Sequence, residues 1–353
     1  MTPAVETRAL SKHYGDVRAL DGVDVTIGAG EYFVLLGPSG GGKTTLLHTI
    51  GGFHKPTSGQ VLLHGQDVSD KPPEQRPTGM VFQAYALFPH MTVAQNVGYG
   101  LKLAKTSAAE ITQKVDAMLE TVGLSGLGLR KPHELSGGQQ QRVQLARALV
   151  LNRDILLLDE PLAALDAQLR KDMCLELKHL QEKVGITFIH VTHNQEEAMT
   201  VADRIALIAD GKLVEHGSAR EVYEAPQRRF TASFVGENNL LDGRILGVSG
   251  ETVQIDTPGG AITVPAVAGA AEGAEASVSI RSELVSLSSP DNAQLSGTYI
   301  ESVYLGLTTS HRVALTGGTE ITARTVSGDE SLPEPGALVH LSWPVGAARL
   351  HLD

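Results

Sequence analysis

Apolar residues in this chain come in short runs, and the texture of those runs changes once. Through the first two-thirds, "EYFVLL" (31–36) is followed by "KTTLLHTIGG" (43–52). "DILLLD" (154–159) precedes the amphipathic "DAQLRKDMCLELKHLQEKVG" (166–185), and "ITFIHVTH" (186–193) precedes "QEEAMTVAD" (195–203). Strand, helix, strand in that order implies parallel pairing and an α/β core. Between the early and late strands, "SAAEITQKVDAMLETVGL" (Ser107 to Leu124) has apolar positions at helical spacing and predicts a helical subdomain. Beyond "FTASFVGENNLLDG" (230–243) the runs become short and β-branched, broken by Gly-rich turns, as in "RILGVSGETVQID", "TPGGAITV" and "HRVALTGGTEITART". That pattern predicts a small antiparallel barrel or sandwich. The boundary is placed near Gly236, giving domains 1–236 and 237–353. "AVAGAAEGAEA" (266–276) is read as a loop inside the second domain.

Length and composition fit this division. A chain of 353 residues exceeds one ordinary domain, and 42% hydrophobic with 20% charged residues is the balance of a soluble protein. No apolar run approaches the roughly 18 to 20 residues of a membrane span. The N-terminal "MTPAVETRAL" lacks the basic and apolar regions of a signal peptide. The single Cys174 lies on the apolar side of a predicted helix, reads as a bland buried thiol and points to the cytosol. Net charge is -11, and from Glu237 onward 14 acidic residues face 5 Arg and no Lys. Neither part is basic, which disfavours nucleic acid as a partner.

Against this background four stretches carry chemistry. Gly37, Pro38, Ser39, Gly40, Gly41, Gly42, Lys43 and Thr44 match G-x-x-x-x-G-K-[ST], between a predicted strand and a predicted helix, with Thr45 following. In such a loop the backbone N–H groups approach phosphates, Lys43 reaches the β and γ phosphates of ATP, and Thr44 takes a Mg2+ ligand position. "DILLLDEP" ends a strand with Asp159, on the Mg2+ side of such a site, and Glu160, able to accept a proton from an attacking water. A solvated acid pair at a strand end is the plain alternative. His193 closes another strand of the same kind. "LSGGQQQR" (Leu135 to Arg142) is a glycine pair at a helix start, which suits a second anion although one phosphate cradle is already present.

Together these motifs resemble one family, the ATP-binding cassette (ABC) ATPases. The P-loop, Gln83 in "VFQAYALFPH", the "LSGGQQQR" signature, "LLLDEP", "ALD" at Ala164 to Asp166, and His193 occur in that family's order over about residues 5 to 236. The resemblance implies a P-loop cassette with a helical subdomain, hydrolysing ATP with Mg2+. It implies a head-to-tail homodimer or paired cassette in which Ser136, Gly137, Gly138 and Gln139 close over the partner's ATP. Tyr14 would stack on adenine, Gln83 would touch Mg2+ or water, Asp166 would lie at the dimer seam, and His193 would contact the γ-phosphate. Glu160 would polarise the water. The apolar "AYALFPHMTV" (Ala84 to Val93) would receive a coupling helix of a membrane permease.

The tail resembles the transport-associated OB-like domain of importer ATPases, with Ile280, Arg281, Ser282, Glu283 where Ile-Arg-Pro-Glu is usual. The implied protein is the ATP-hydrolysing subunit of a bacterial importer, peripheral on the cytoplasmic face of the plasma membrane. It would act with two permease subunits and, through them, an external solute-binding protein. The "FVGENNLLDG" junction and "RPTGMVFQAYALFPHMTVAQNV" most resemble the polyamine and ferric-iron subgroup, within which a polyamine importer is the favoured reading and a ferric-iron, sugar or other solute importer the alternative. A non-transport ABC ATPase is disfavoured because the chain has one cassette and no long coiled-coil insertion.

Overall fold

The computed structural model describes residues 2–83, 86–328, 332–344 and 346–353. Its elements, in chain order, are β1 (Val5–Tyr14), β2 (Val17–Ile27), β3 (Tyr32–Leu36), α1 (Lys43–Gly51), β4 (Ser58–Leu63), β5 (Gln66–Asp67), β6 (Thr78–Val81), α2 (Val93–Leu103), α3 (Ala108–Thr121) and α4 (Gly137–Leu149). There follow β7 (Ile155–Asp159), α5 (Ala167–Val184), β8 (Thr187–Val191), α6 (Gln195–Val201), β9 (Arg204–Ala209), β10 (Lys212–Ser218), α7 (Ala219–Glu224) and α8 (Arg229–Phe234). The remainder is β: β11 (Asn238–Ser249), β12 (Thr252–Thr257), β13 (Gly260–Pro265), β14 (Glu275–Arg281), β15 (Ser286–Ser288), β16 (Leu295–Tyr304), β17 (Thr308–Leu315), β18 (Glu320–Val326), β19 (Leu338–Ser342) and β20 (Arg349–His351).

The expected parallel sheet has the order β10-β9-β3-β8-β7-β6, parallel from β9 to β6 with β10 antiparallel at one edge. Every residue of β3, β7 and β8 is buried, as strands covered on both faces require. Side chains with chemistry therefore leave this sheet at strand ends. A second, antiparallel sheet, β2-β1-β4-β5, packs on the same core and was not anticipated from the apolar runs. Its strands contain bulges that break the alternation a sequence reading relies on.

The P-loop helix α1 is held at its far end. Arg76 is 1% exposed and donates through Nη1 to the Thr49 and Ile50 carbonyls, each at 2.8 Å. A cation on the last carbonyls of a helix satisfies acceptors that have no intrahelical partner and complements the dipole. Gly52 turns the chain away at φ 85°, where an added Cβ would meet the Arg76 guanidinium at 2.6 Å.

The helical subdomain packs α2, α3 and α4 around Val97, Leu119, Val143 and Ala146. Helix α3 begins one residue after its Ser107 cap, within the expected 107–124 span. Among the described residues, no helix is long and apolar enough to cross a membrane. Cys174, on α5, is 2% exposed, and burial pushes its thiol up to about 12.

The chain separates into compact units Met1–Ala219 and Arg220–Asp353, so the division falls ahead of the expected Gly236. Polar side chains account for the shift, because they tie 223–238 to the β unit. Arg229 donates to Ser277 Oγ at 2.9 Å and pairs with Asp242 at 3.1 Å, and Asn238 Nδ2 donates to the Ala232 carbonyl at 2.6 Å. Arg281 lies over the Tyr223 ring, 4.0 Å from its centroid, and donates to the Tyr223 and Val235 carbonyls. Within the second unit two five-stranded antiparallel sheets, β13-β12-β11-β14-β20 and β15-β19-β16-β17-β18, close on one core that includes Ile255, Tyr299, Val313 and Trp343. This is the all-β, OB-like domain. Ser282, the departure from the usual proline, uses the N–H that proline lacks: it donates to the Glu237 carbonyl at 3.1 Å.

Candidate nucleotide site

The loop Gly37–Gly42 joins β3 to α1 and lies against neighbouring backbone. A Cβ on Gly37 would stand 2.0 Å from the Ile208 carbonyl oxygen, and one on Gly42 would stand 2.5 Å from that of Ala19. Both residues also have φ in the left-handed range, 150° and 105°. Only glycine satisfies both constraints, and the uncovered backbone is what a phosphate can approach. Ser39 and Gly40 are exposed at the turn, Pro38 and Thr45 are half-buried, and Gly41 is buried.

Lys43 opens α1 with its side chain folded back over the loop. The ammonium donates to the Gly37 and Pro38 carbonyls, both at 2.8 Å. Burial lowers its pKa, and the charges of Glu160 and Asp159 oppose that shift. One residue on, the Thr44 hydroxyl donates to Asp159 Oδ1 at 3.2 Å. His48, one helical turn later, meets Asp159 Oδ2 at 3.1 Å. Sequence reasoning missed His48, although its i+4 spacing from Thr44 is the signal that places both on one face.

Glu160 follows β7 with φ 43°, a left-handed conformation uncommon for a non-glycine residue, fixed by its N–H donating to the Val191 carbonyl at 3.1 Å. Its carboxylate is shared by two predicted residues. Gln83 Nε2 donates to Oε2 at 3.2 Å, and His193 Nδ1 meets Oε1 at 3.3 Å. Lys43, Thr44, Asp159, Glu160, Gln83 and His193 are thus gathered at the carboxyl ends of β3, β6, β7 and β8.

The remaining predicted residues lie outside that cluster. Ser136 caps α4, where it accepts from the Gln139 N–H while Gln139 Oε1 accepts from the Ser136 N–H at 3.0 Å, a capping box. Gly137 and Gly138 form the first turn of α4, and no hydrogen bond of the described residues links 136–139 to the P-loop. Asp166 caps α5 by accepting from the Leu169 N–H at 3.0 Å. Tyr14 ends β1 with its ring 47% exposed, edge-on to His54 and 5.0 Å from the Lys12 ammonium.

The loop carrying Gln83 is held by residues that no motif flagged. Two side chains three positions apart on α4 grip it: Gln144 Nε2 donates to the Phe82 carbonyl and Arg147 Nη1 to that of Ala86, each at 2.8 Å. Of the apolar stretch 84–93, residues 84 and 85 lie outside the described residues. Phe88 packs on Tyr99 with ring centroids 4.7 Å apart. Met91 lines a groove of about 770 Å3 whose apolar wall also includes Ala94, Tyr99, Leu103 and Ile111.

The comparisons with known proteins agree with this arrangement. A family described as ABC transporter matches residues 20–163, and the TOBE domain matches residues 278–350. A spermidine/putrescine import ATP-binding protein PotA from Roseobacter denitrificans is 46% identical over 98% of this chain and 97% of its own length. The chain belongs to the ABC importer ATPases. A second relative of the same description, from Ruegeria pomeroyi, is 44% identical over 100% of this chain and 98% of its own length. Among solved structures, cbiO1 from Clostridium perfringens, part of the ABC transporter complex cbiONQ, superposes with TM-score 0.59 at 31% identity, over 63% of this chain and 91% of that one. The ATP-binding cassette MJ0796, a dimer in a post-hydrolysis state bound to ADP and Pi, gives 0.54 at 33% identity, over 61% of this chain and 99% of that one. As an ABC importer ATPase the chain binds ATP and couples its hydrolysis to transport.

Proposed function

We propose that this chain is the ATP-hydrolysing subunit of a polyamine importer, and that the cluster at the ends of β3, β6, β7 and β8 is its catalytic site. The observation that carries the reading is the Glu160 carboxylate, held between Gln83 and His193 at 3.2 and 3.3 Å, next to a P-loop whose lysine is buried. Lys43 exchanges the Gly37 and Pro38 carbonyls for phosphate oxygens, and the P-loop N–H groups complete the cradle. Glu160 accepts the proton of a water aligned by Gln83, and His193 donates toward the γ-phosphate. Thr44 and Asp159 would offer two hard oxygen donors to Mg2+ and Gln83 a third, and the 3.2 Å contact of Thr44 with Asp159 fits that ligand pair. When bound, Mg2+ neutralises charge on the β and γ phosphate oxygens. Tyr14 supplies an exposed face for adenine.

Ser136, Gly137, Gly138 and Gln139 serve the ATP of a second copy, with Asp166 at the seam. Their place away from the P-loop of their own chain supports this, as does the dimeric MJ0796 relative. The groove beside Met91 receives a permease segment and holds the chain peripherally at the cytoplasmic membrane face, within a complex of two permease subunits and a solute-binding protein. The solute follows from the names of relatives that match over nearly their whole length.

Glu160→Gln tests the chemistry. It is expected to bind ATP normally and to hydrolyse it at least about 100-fold more slowly, measured by phosphate release from the purified chain. Turnover within a few-fold of wild type removes Glu160 as the base. Radiolabelled putrescine and spermidine uptake in cells carrying or lacking the gene tests the solute. Unchanged polyamine uptake with lost ferric-iron or sugar uptake reassigns it.

A further inference from the structure

Beneath the site, a set of buried polar groups belongs to none of the six motifs. Glu197, in the first turn of α6, has a side chain 6% exposed. Its Oε2 accepts from the Thr192 hydroxyl at 2.7 Å, and that hydroxyl accepts in turn from the Asn194 N–H at 3.0 Å. Thr192 and Asn194 flank His193, so one carboxylate oxygen fixes the loop on both sides of that residue. The other oxygen, Oε1, lies 3.5 Å from Arg170 Nε, an ion-pair distance rather than a good hydrogen bond. Arg170 also donates through Nη2 to the Leu165 carbonyl at 2.8 Å, immediately before Asp166.

A buried carboxylate is costly unless its partners compensate, and a well-packed apolar side chain commonly serves stability as well or better. What this arrangement adds is a specific connection between two loops. The neighbouring His190 does not share the charge: its Nε2 is 3.7 Å from Glu197, and burial lowers its pKa to about 3, which leaves it neutral. The space enclosed by Glu160, Ala163, Arg170, Thr192, His193 and Glu197 is about 50 Å3, room for little more than a water.

We propose that Glu197 is a positioning residue that locks the His193 loop to the Asp166 loop, through Thr192 on one side and Arg170 on the other. The proposal rests on the ATPase reading of the site, in which Asp166 meets a second cassette and His193 meets the γ-phosphate. A shift of the Leu165 carbonyl when two cassettes close carries Arg170, then Glu197, then Thr192, and delivers the displacement to His193. Glu197 acts through Thr192 and Arg170, which hold the loops on either side of it. It sets the geometry of His193.

The test is steady-state ATP hydrolysis by the purified full chain as wild type, Glu197→Gln, Arg170→Met, the double variant and Glu160→Gln. Glutamine keeps the shape and an acceptor for Thr192 but loses the charge facing Arg170. Glu197→Gln is expected to lower kcat about tenfold with KM for ATP within about twofold and an essentially unchanged melting midpoint. The double variant is expected within about twofold of Arg170→Met alone, because both break one connection. Wild-type kcat in Glu197→Gln, or losses that multiply in the double variant, overturns the brace. If Glu160→Gln turns over normally, the reading of the site beneath it fails first. A dead Glu160→Gln beside a wild-type-like Glu197→Gln overturns the brace alone.

Discussion

Strand β8 of the cassette and strand β17 of the β unit illustrate two ways of placing polar chemistry. All five residues of β8 are buried, and its neighbours on both sides are parallel. In β17 every second residue is buried and those between are half-exposed, the pattern of an antiparallel strand with one wet face. The parallel strand has no wet face and buries even its own Thr187 and His190, so the exposed polar chemistry comes just beyond its end, at His193, beside the ends of β3 and β7. The antiparallel unit spreads its polar groups along the strands. Where it concentrates them, around Arg281 and Tyr223, they tie the helices α7 and α8 to the sheets. Burial lowers the pKa of Arg281 as it does that of Lys43, yet only Lys43 lies at a gathering of strand ends. A perturbed group marks a site only when the topology converges on it.

The contrast is broken or sharpened most strongly by alanine at glycines of the two units. Gly37→Ala drives a Cβ into the Ile208 carbonyl oxygen at 2.0 Å, whereas a Cβ at Gly318 meets nothing within 4 Å. Gly37→Ala is expected to cost at least about 100-fold in ATP affinity by equilibrium titration. Gly318→Ala should cost only the left-handed backbone penalty, about 1 to 2 kcal/mol, with affinity unchanged. Equal effects at both positions would remove the distinction.

A smaller effect is expected from pH. An unfolded His190 binds a proton below about pH 6.5, while the folded, buried ring does so only near 3. Between those values the unfolded state holds more protons, so stability rises with pH. The contribution is complete above about 6.5 and falls away as pH drops, by about 2 kcal/mol at pH 5. Urea unfolding followed separately in the two units should show this slope in the cassette and lose it in His190→Gln. A slope that survives the substitution assigns the acid sensitivity elsewhere.

Arg312→Ala should produce the smallest effect. Arg312 pairs with Glu301 and, at 2.7 Å, with Glu320 on the exposed face of the β unit. Exposed pairs of this kind contribute little, so the urea midpoint should not move measurably. A clear shift would show that the exposed face of this unit is organised more like the cassette than the alternation suggests.

What was legible in the sequence follows the same division. Lys43 and Thr44 could be placed by the phosphate-loop pattern between a strand and a helix, and Asp159, Glu160 and His193 because they close or closely follow a recognisable strand, so local pattern and three-dimensional position coincide. Gln83 was located through its motif. The Arg76 clamp, the Gln144 and Arg147 grip and the Glu197 brace all join residues from different elements, and pairing across space leaves no periodic signal; His48 alone had one, its helical spacing from Thr44. The division ahead of Gly236 was hidden for the same reason: the change to short β-branched runs shows only beyond 230–243, and the contacts of Arg229, Asn238 and Arg281 assign α7 and α8 to the β unit. In the β unit alternation alone disclosed the class of fold, while the order of its ten strands depended on closures such as β14 against β20 that no turn announces.

The burial of Cys174 has a practical consequence at the bench. Burial pushes its thiol up to about 12, which keeps it protonated at neutral pH, and the sulfur is covered by α5 and its neighbours. Towards maleimides and other alkylating dyes the chain therefore behaves as though it contained no cysteine. A single cysteine introduced on an exposed residue near the signature helix, such as Gln168 or His133, would take up a fluorophore alone, and two copies of the chain could report their approach by energy transfer without prior removal of a native thiol.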